Sequence, residues 1–94
     1  MKTEHIVSAL EEAFSQLGLD VRREKGHFRG GRCTVNGEDV IILNRNHPSE
    51  AQLAVLAESL RGLPVDTIFM RPAVREAVER LWLSVGREDD SDEN

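Results

Sequence analysis

The stretch Gly26–Arg45, Gly-His-Phe-Arg-Gly-Gly-Arg-Cys-Thr-Val-Asn-Gly-Glu-Asp-Val-Ile-Ile-Leu-Asn-Arg, decides the fold. Its Asn36-Gly37 pair stands between two β-type runs. Asn-Gly suits the two positive-φ positions of a type I′ turn, whose twist matches that of paired strands. Before the turn, Arg32–Val35 alternates, with Cys33 and Val35 expected inward and Arg32 and Thr34 outward. After it, Val40-Ile41-Ile42-Leu43 does not alternate and reads as a strand covered on both faces. A strand of that kind needs helices above and below it, and the flanking sequence supplies three.

On the N-terminal side, Leu19–Glu24 reads as a strand with Leu19 and Val21 on one face. Lys25-Gly26 begins a turn, and His27–Gly31 is a hairpin end or an irregular loop, because Gly30-Gly31 interrupts a ladder. Residues 3–17 carry Ile6, Leu10, Ala13, Phe14 and Leu17 on one stripe at the helical period. Thr3 suits the N-cap, and Gly18 with Leu19 suits a Schellman end.

On the C-terminal side, His47-Pro48-Ser49-Glu50 reads as a helix start, with Pro48 at N1 and Ser49 and Gln52 forming a capping box. That helix presents Leu53, Leu56, Ala57 and Leu60 and stops at Gly62. Asp66–Met70 is short and rich in β-formers, a fourth strand by this reading. Pro72 opens a last helix with Val74, Ala77, Val78, Leu81, Trp82 and Val85 on its apolar stripe, ending at Gly86. The expected fold is a single α/β (α+β) domain over residues 1–87, in the order α-β-β-β-α-β-α. A mixed four-stranded sheet in the order 1-2-3-4 would carry helices on both faces, with its last two strands parallel across a right-handed crossover. Residues 88–94 form an acidic tail expected to be disordered.

Composition narrows the classes. Ninety-four residues suffice for one core and leave little room for a deep enzyme cleft. No apolar run is long enough to span a bilayer, and Met-Lys-Thr-Glu leading into an amphipathic pattern is not a signal peptide. The single Cys33 makes no internal disulfide, which suits a reducing, cytoplasmic setting. The net charge of −5 belongs to the tail: Glu88, Asp89, Asp90, Asp92 and Glu93 are five of the seventeen acids, and the twelve others match twelve Lys and Arg. Arg22, Arg23, Lys25, Arg29 and Arg32, with one acid among them, make residues 22–32 locally basic.

Two families share parts of this layout. The helix, three strands with Gly30-Gly31 and a hairpin turn, a second helix and a further strand, over roughly residues 5 to 70, resemble the PD-(D/E)xK nuclease core. Such a core implies an Asp on its second strand and a Glu-x-Lys on its third, binding metal and activating water. The matching stretches here are Arg32-Cys33-Thr34-Val35 and Leu43-Asn44-Arg45-Asn46, and neutral Thr34, Asn44 and Asn46 make a poor cation site. Ile42-Leu43-Asn44 followed by Leu53–Leu60 is similar to the strand-plus-helix core of zinc metallopeptidases, which implies a His-Glu-x-x-His on the helix. Here Glu58, Ser59 and Gly62 stand instead, without a histidine. Neither resemblance carries a catalytic residue over to this chain.

The remaining candidates are weighed by chemistry. His5, His27, His47 and Cys33 match no ligand spacing, so no metal and no cofactor is expected. Cys33 reads as a small core residue, and Glu11-Glu12, Glu76 and Glu79 as solvated helix faces. Trp82 reads as core packing with a protein contact as the alternative. The basic segment is the feature with functional direction: Arg22, Arg23, Lys25, His27, Phe28, Arg29 and Arg32 combine phosphate-binding cations with a ring that stacks on bases. The expectation is a non-catalytic domain acting through protein–protein contact, with a second copy as one partner and Trp82 near the interface. The alternative is weak binding of nucleic acid or another polyanion through residues 22–32.

Overall fold

The computed structural model describes the backbone of residues 1–92 and the side chains of residues 1–84. The chain folds as α1 (Thr3–Gln16), β1 (Asp20–Glu24), β2 (Gly30–Val35), β3 (Glu38–Asn44), α2 (Ser49–Leu60), a 3₁₀ turn at Val65–Thr67, and α3 (Pro72–Asp92). The hairpin between β2 and β3 forms as the Asn-Gly pair requires, with φ of 52° at Asn36 and 82° at Gly37. α1 closes in a Schellman motif: the Leu19 N–H donates to Phe14 O at 2.9 Å and the Gly18 N–H to Ser15 O at 3.0 Å. The two expected N-caps shift by one residue. Lys2 and Pro48 hold those positions, without a side-chain bond. Gln52 instead turns back, donating from Nε2 to Asn44 O at 3.1 Å and His47 O at 3.2 Å.

The sheet has three strands in the order β1-β3-β2. β1 runs parallel to β3, with Val21 opposite Ile41 and Arg23 opposite Leu43. β2 runs antiparallel, with Cys33 opposite Val40 and Gly31 opposite Ile42. The expected four-stranded sheet in the order 1-2-3-4 is therefore corrected. β1 occupies the flank of β3 that the fourth strand was to take. Residues 66–70 do not join the sheet: Val65–Thr67 coils into a 3₁₀ turn, with Thr67 N–H to Pro64 O at 3.1 Å. Phe69 then meets the Gln16 side chain, its N–H 3.4 Å from Oε1 and its carbonyl 3.5 Å from Nε2. A side-chain amide thus replaces the neighbouring strand.

All three helices lie on one face. Their cluster takes Ile41 and Leu43 from β3 together with Leu10, Phe14, Leu56, Leu60, Val74 and Val78, and includes neither Val40 nor Ile42. Helices on both faces are thus corrected to a two-layer arrangement. Each fully buried side chain of this size stabilises by about 1.5–3 kcal/mol. Val40 is buried between its strand partners Asp20 and Cys33, and Ile42 is half-buried. The alternation of β2 is as expected, but its direction is reversed: Cys33 and Val35 share the helix-free face with Val40, while Arg32 and Thr34 point to the helix side. α2 is buried on several sides at Leu53, Val55, Leu56, Ala57 and Leu60, because it packs against both other helices as well as the sheet. α3 continues past Gly86 to Asp92; an interior glycine costs a helix about 1 kcal/mol, which it survives. The side chains of the expected acidic tail, and Glu93 and Asn94 entirely, lie outside the described residues. Among the described residues no helix is long and apolar enough to cross a membrane.

Candidate functional site

β2 is an edge strand, and its edge is built by the hairpin. A two-residue turn makes Val35 and Glu38 a hydrogen-bonded pair, so Cys33–Val40 and Gly31–Ile42 are bonded pairs too. The backbone N–H and C=O of Gly30, Arg32 and Thr34 consequently point away from β3. These same three residues occupy the helix side of β2, and none brings an apolar side chain. α2 lies close to that strand, but no large apolar side chain from β2 fills the space between them. A cleft of about 550 Å³ remains, lined by Arg29, Gly30 and Arg32 on one wall and Ala54, Glu58 and Arg61 on the other. On the helix-free side of the same edge lies a shelf of about 460 Å³, lined by Phe28, Gly31, Cys33 and Ile42 together with Glu24 and Lys25.

Two residues fix this edge in place. At Gly30, φ is +94°, and a Cβ there would lie 2.5 Å from the Ile42 carbonyl oxygen. Only glycine brings β2 that close to the central strand. Asn44, 3% exposed, ends β3 and clamps the loop leading into β2. Its Nδ2 donates to Gly26 O at 2.8 Å and Phe28 O at 2.7 Å, and its Oδ1 accepts the Asn46 N–H at 2.9 Å. The amide at this position is spent on holding the chain that carries Phe28 and Arg29.

The basic residues do not converge. Arg22 points to the helix-free face opposite Ile42. Arg23 lies on the helix side and forms a forked bond to Glu11 of α1, with NH1 2.9 Å from Oε2. Lys25 and His27 are exposed in the loop, where the Phe28 ring lies against Gly26. Arg29 is exposed and lines the cleft. Arg32 donates to Asp39 Oδ2 at 2.8 Å. Arg22, Lys25 and Arg29 form no ion pair among the described residues. The Arg32 guanidinium, followed by the Thr34 hydroxyl 3.2 Å away, holds the Asp39 carboxyl below its ordinary value.

Sequence reasoning missed the second wall. Ala54, Glu58 and Arg61 follow one another at helical spacing, but nothing in their order says that a strand edge faces them. Arg61 is set by α3: NH2 donates to Trp82 O at 3.0 Å, Nε lies 3.5 Å from Glu58 Oε2, and the guanidinium stands 5.9 Å from the indole centroid. Trp82 donates its Nε1–H to Ala57 O at 2.6 Å, tying α3 to α2, while Leu83 beside it is 67% exposed.

No three His, Cys, Asp or Glu side chains come together as a metal cluster among the described residues. Comparison with known proteins finds no matching family model, no matching curated protein and no matching solved structure.

Proposed function

We propose that this chain is a non-catalytic domain acting through protein–protein contact, with the β2 edge as its contact surface. The observation that carries this reading is the row of outward N–H and C=O groups at Gly30, Arg32 and Thr34, of which Gly30 and Arg32 border a cleft. A polypeptide is the ligand whose backbone matches such a row, by adding itself as a further strand. A second copy of the chain is one polypeptide of this kind. The polyanion reading retains Lys25 and Phe28, which line one shelf. It loses force because Arg23 is held by Glu11 and Arg22 lies on the opposite face from Arg32, so the bases of residues 22–32 do not form one surface.

Amide shift mapping separates the two readings. Extended peptides should perturb Gly30, Arg32 and Thr34. Thr34→Pro, which removes an outward donor that the ladder does not use, should abolish that response and leave the fold intact. A response to single-stranded oligonucleotide at Lys25 and Phe28, with none to peptides at β2, would refute the contact reading.

A further inference from the structure

Resting on the protein-contact reading, we infer that the β2 edge receives an extended segment in which acidic and apolar residues alternate, added as a fourth strand beyond β2. The juxtaposition behind this is that the cleft and the shelf share Gly30, Gly31 and Arg32: they are the two sides of one strand edge. A strand sends successive side chains to opposite faces, so an added strand places every second residue in the cleft and the others on the shelf.

The two sides differ in chemistry. The cleft presents Arg29, Arg32 and Arg61 against Glu58, two positive charges in excess, and one when the Asp39 bound to Arg32 is counted. Guanidinium groups take carboxylates in forked geometry, and two of these three are already oriented, Arg32 by Asp39 and Arg61 by the Trp82 carbonyl. Arg29 is the one with no acidic partner among the described residues. The shelf is apolar at Phe28, Cys33 and Ile42. Ile42 is left half-open because its partner across the ladder, Gly31, has no side chain. Acidic residues therefore fit the helix side and aliphatic residues the other. Three outward residues on β2 accommodate an added strand of about five residues, roughly 17 Å long.

The probe is a dye-labelled heptapeptide of alternating Glu and Val, titrated into the full chain at low salt by fluorescence anisotropy, with amide shifts recorded. It should bind about tenfold more tightly than the Lys/Val peptide and than a peptide with its Glu residues in one block, since each exposed ion pair contributes only modestly. Arg29→Ala should erase most of that preference. Methylating the backbone nitrogens of alternate residues should abolish binding in one of the two possible frames and spare it in the other. Equal binding of Glu/Val, Lys/Val and Ser/Val peptides, with shifts still at Gly30, Arg32 and Thr34, overturns the acidic pattern and leaves the contact reading standing. Shifts at β2 from none of the peptides overturn both.

Discussion

β1 and β2 both lie against β3 and both are edges of the sheet, yet one is roofed and the other is open. On the helix side of β1, Val21 packs into the core cluster and Arg23 reaches up to Glu11 of α1. The helix is thus fastened over the strand by one apolar and one ionic contact. On the helix side of β2 stand Gly30, Arg32 and Thr34, and the only acid they engage among the described residues, Asp39, belongs to β3. α2 passes over β2, but no apolar side chain of that strand fills the space beneath it, and the cleft results. Composition at two or three alternate positions, more than strand order, decides whether a helix seals an edge. An edge left open in this way retains unpaired backbone groups, a liability that natural sheets usually cover or blunt with charge. Here the charge is present as Arg29 and Arg32, and among the described residues no further strand covers the edge.

The largest break in this comparison comes at Gly30. Gly30→Val places a branched side chain at φ +94° and its Cβ against the Ile42 carbonyl of the central strand. Neither backbone can yield cheaply, so a loss of about 3 kcal/mol or more is expected from strain and clash together. Chemical denaturation should show a lower midpoint, and the amides of β2 should exchange faster than those of β1. An unchanged midpoint would mean that β2 does not approach β3 as described.

A smaller loss is expected from Asn44→Ala. Three side-chain hydrogen bonds disappear, and the carbonyls of Gly26 and Phe28 lose their donor. About 1–3 kcal/mol follows if those groups remain out of water. The effect should also be local. Hydrogen exchange should rise across residues 25–29 and remain unchanged in β1, which keeps its own fastening to α1. Uniform loosening of both flanks would contradict the separate roles given to them.

The hairpin, the three helices and the Schellman end of α1 were legible because each rests on residues adjacent in sequence: Asn36-Gly37, the apolar stripes, Gly18-Leu19. The missing fourth strand was not. Thr67, Ile68 and Phe69 favour extended backbone wherever they are, but pairing depends on which segment tertiary packing sets beside β3, and Leu19–Glu24, though legible as a strand, carries no mark of a parallel partner. The site divides the same way. A count of bases in residues 22–32 was available, whereas the partners that remove two of them, Glu11 for Arg23 and Asp39 for Arg32, became visible only in three dimensions. Alternation in β2 was readable too. Its direction was not, since Cys33 and Val35 are the more apolar pair and still face away from the helices.

The finest test asks how firmly Arg32 is committed to Asp39 and therefore how much of it the cleft can use. The Asp39 carboxyl is held below its ordinary value first by the hydrogen bond from Arg32, then by that from Thr34, and then by the Arg32 charge. A carboxyl depressed by folding contributes stability at pH values above its unfolded pKa, and that contribution is lost as pH falls through the folded value. Because the group is solvent-exposed, the effect belongs in its titration curve and not in a melting temperature. Carbon shifts of Asp39 followed against pH should give a midpoint on the acid side of an ordinary aspartate. Arg32→Ala should move that midpoint upward, and Thr34→Val should move it less. Addition of an acidic peptide that draws Arg32 into the cleft should raise it as well, in wild type and not in Arg32→Ala. A midpoint indifferent to Arg32 would show that the pair is open in solution, leaving β2 more basic than the Arg32–Asp39 pair suggests.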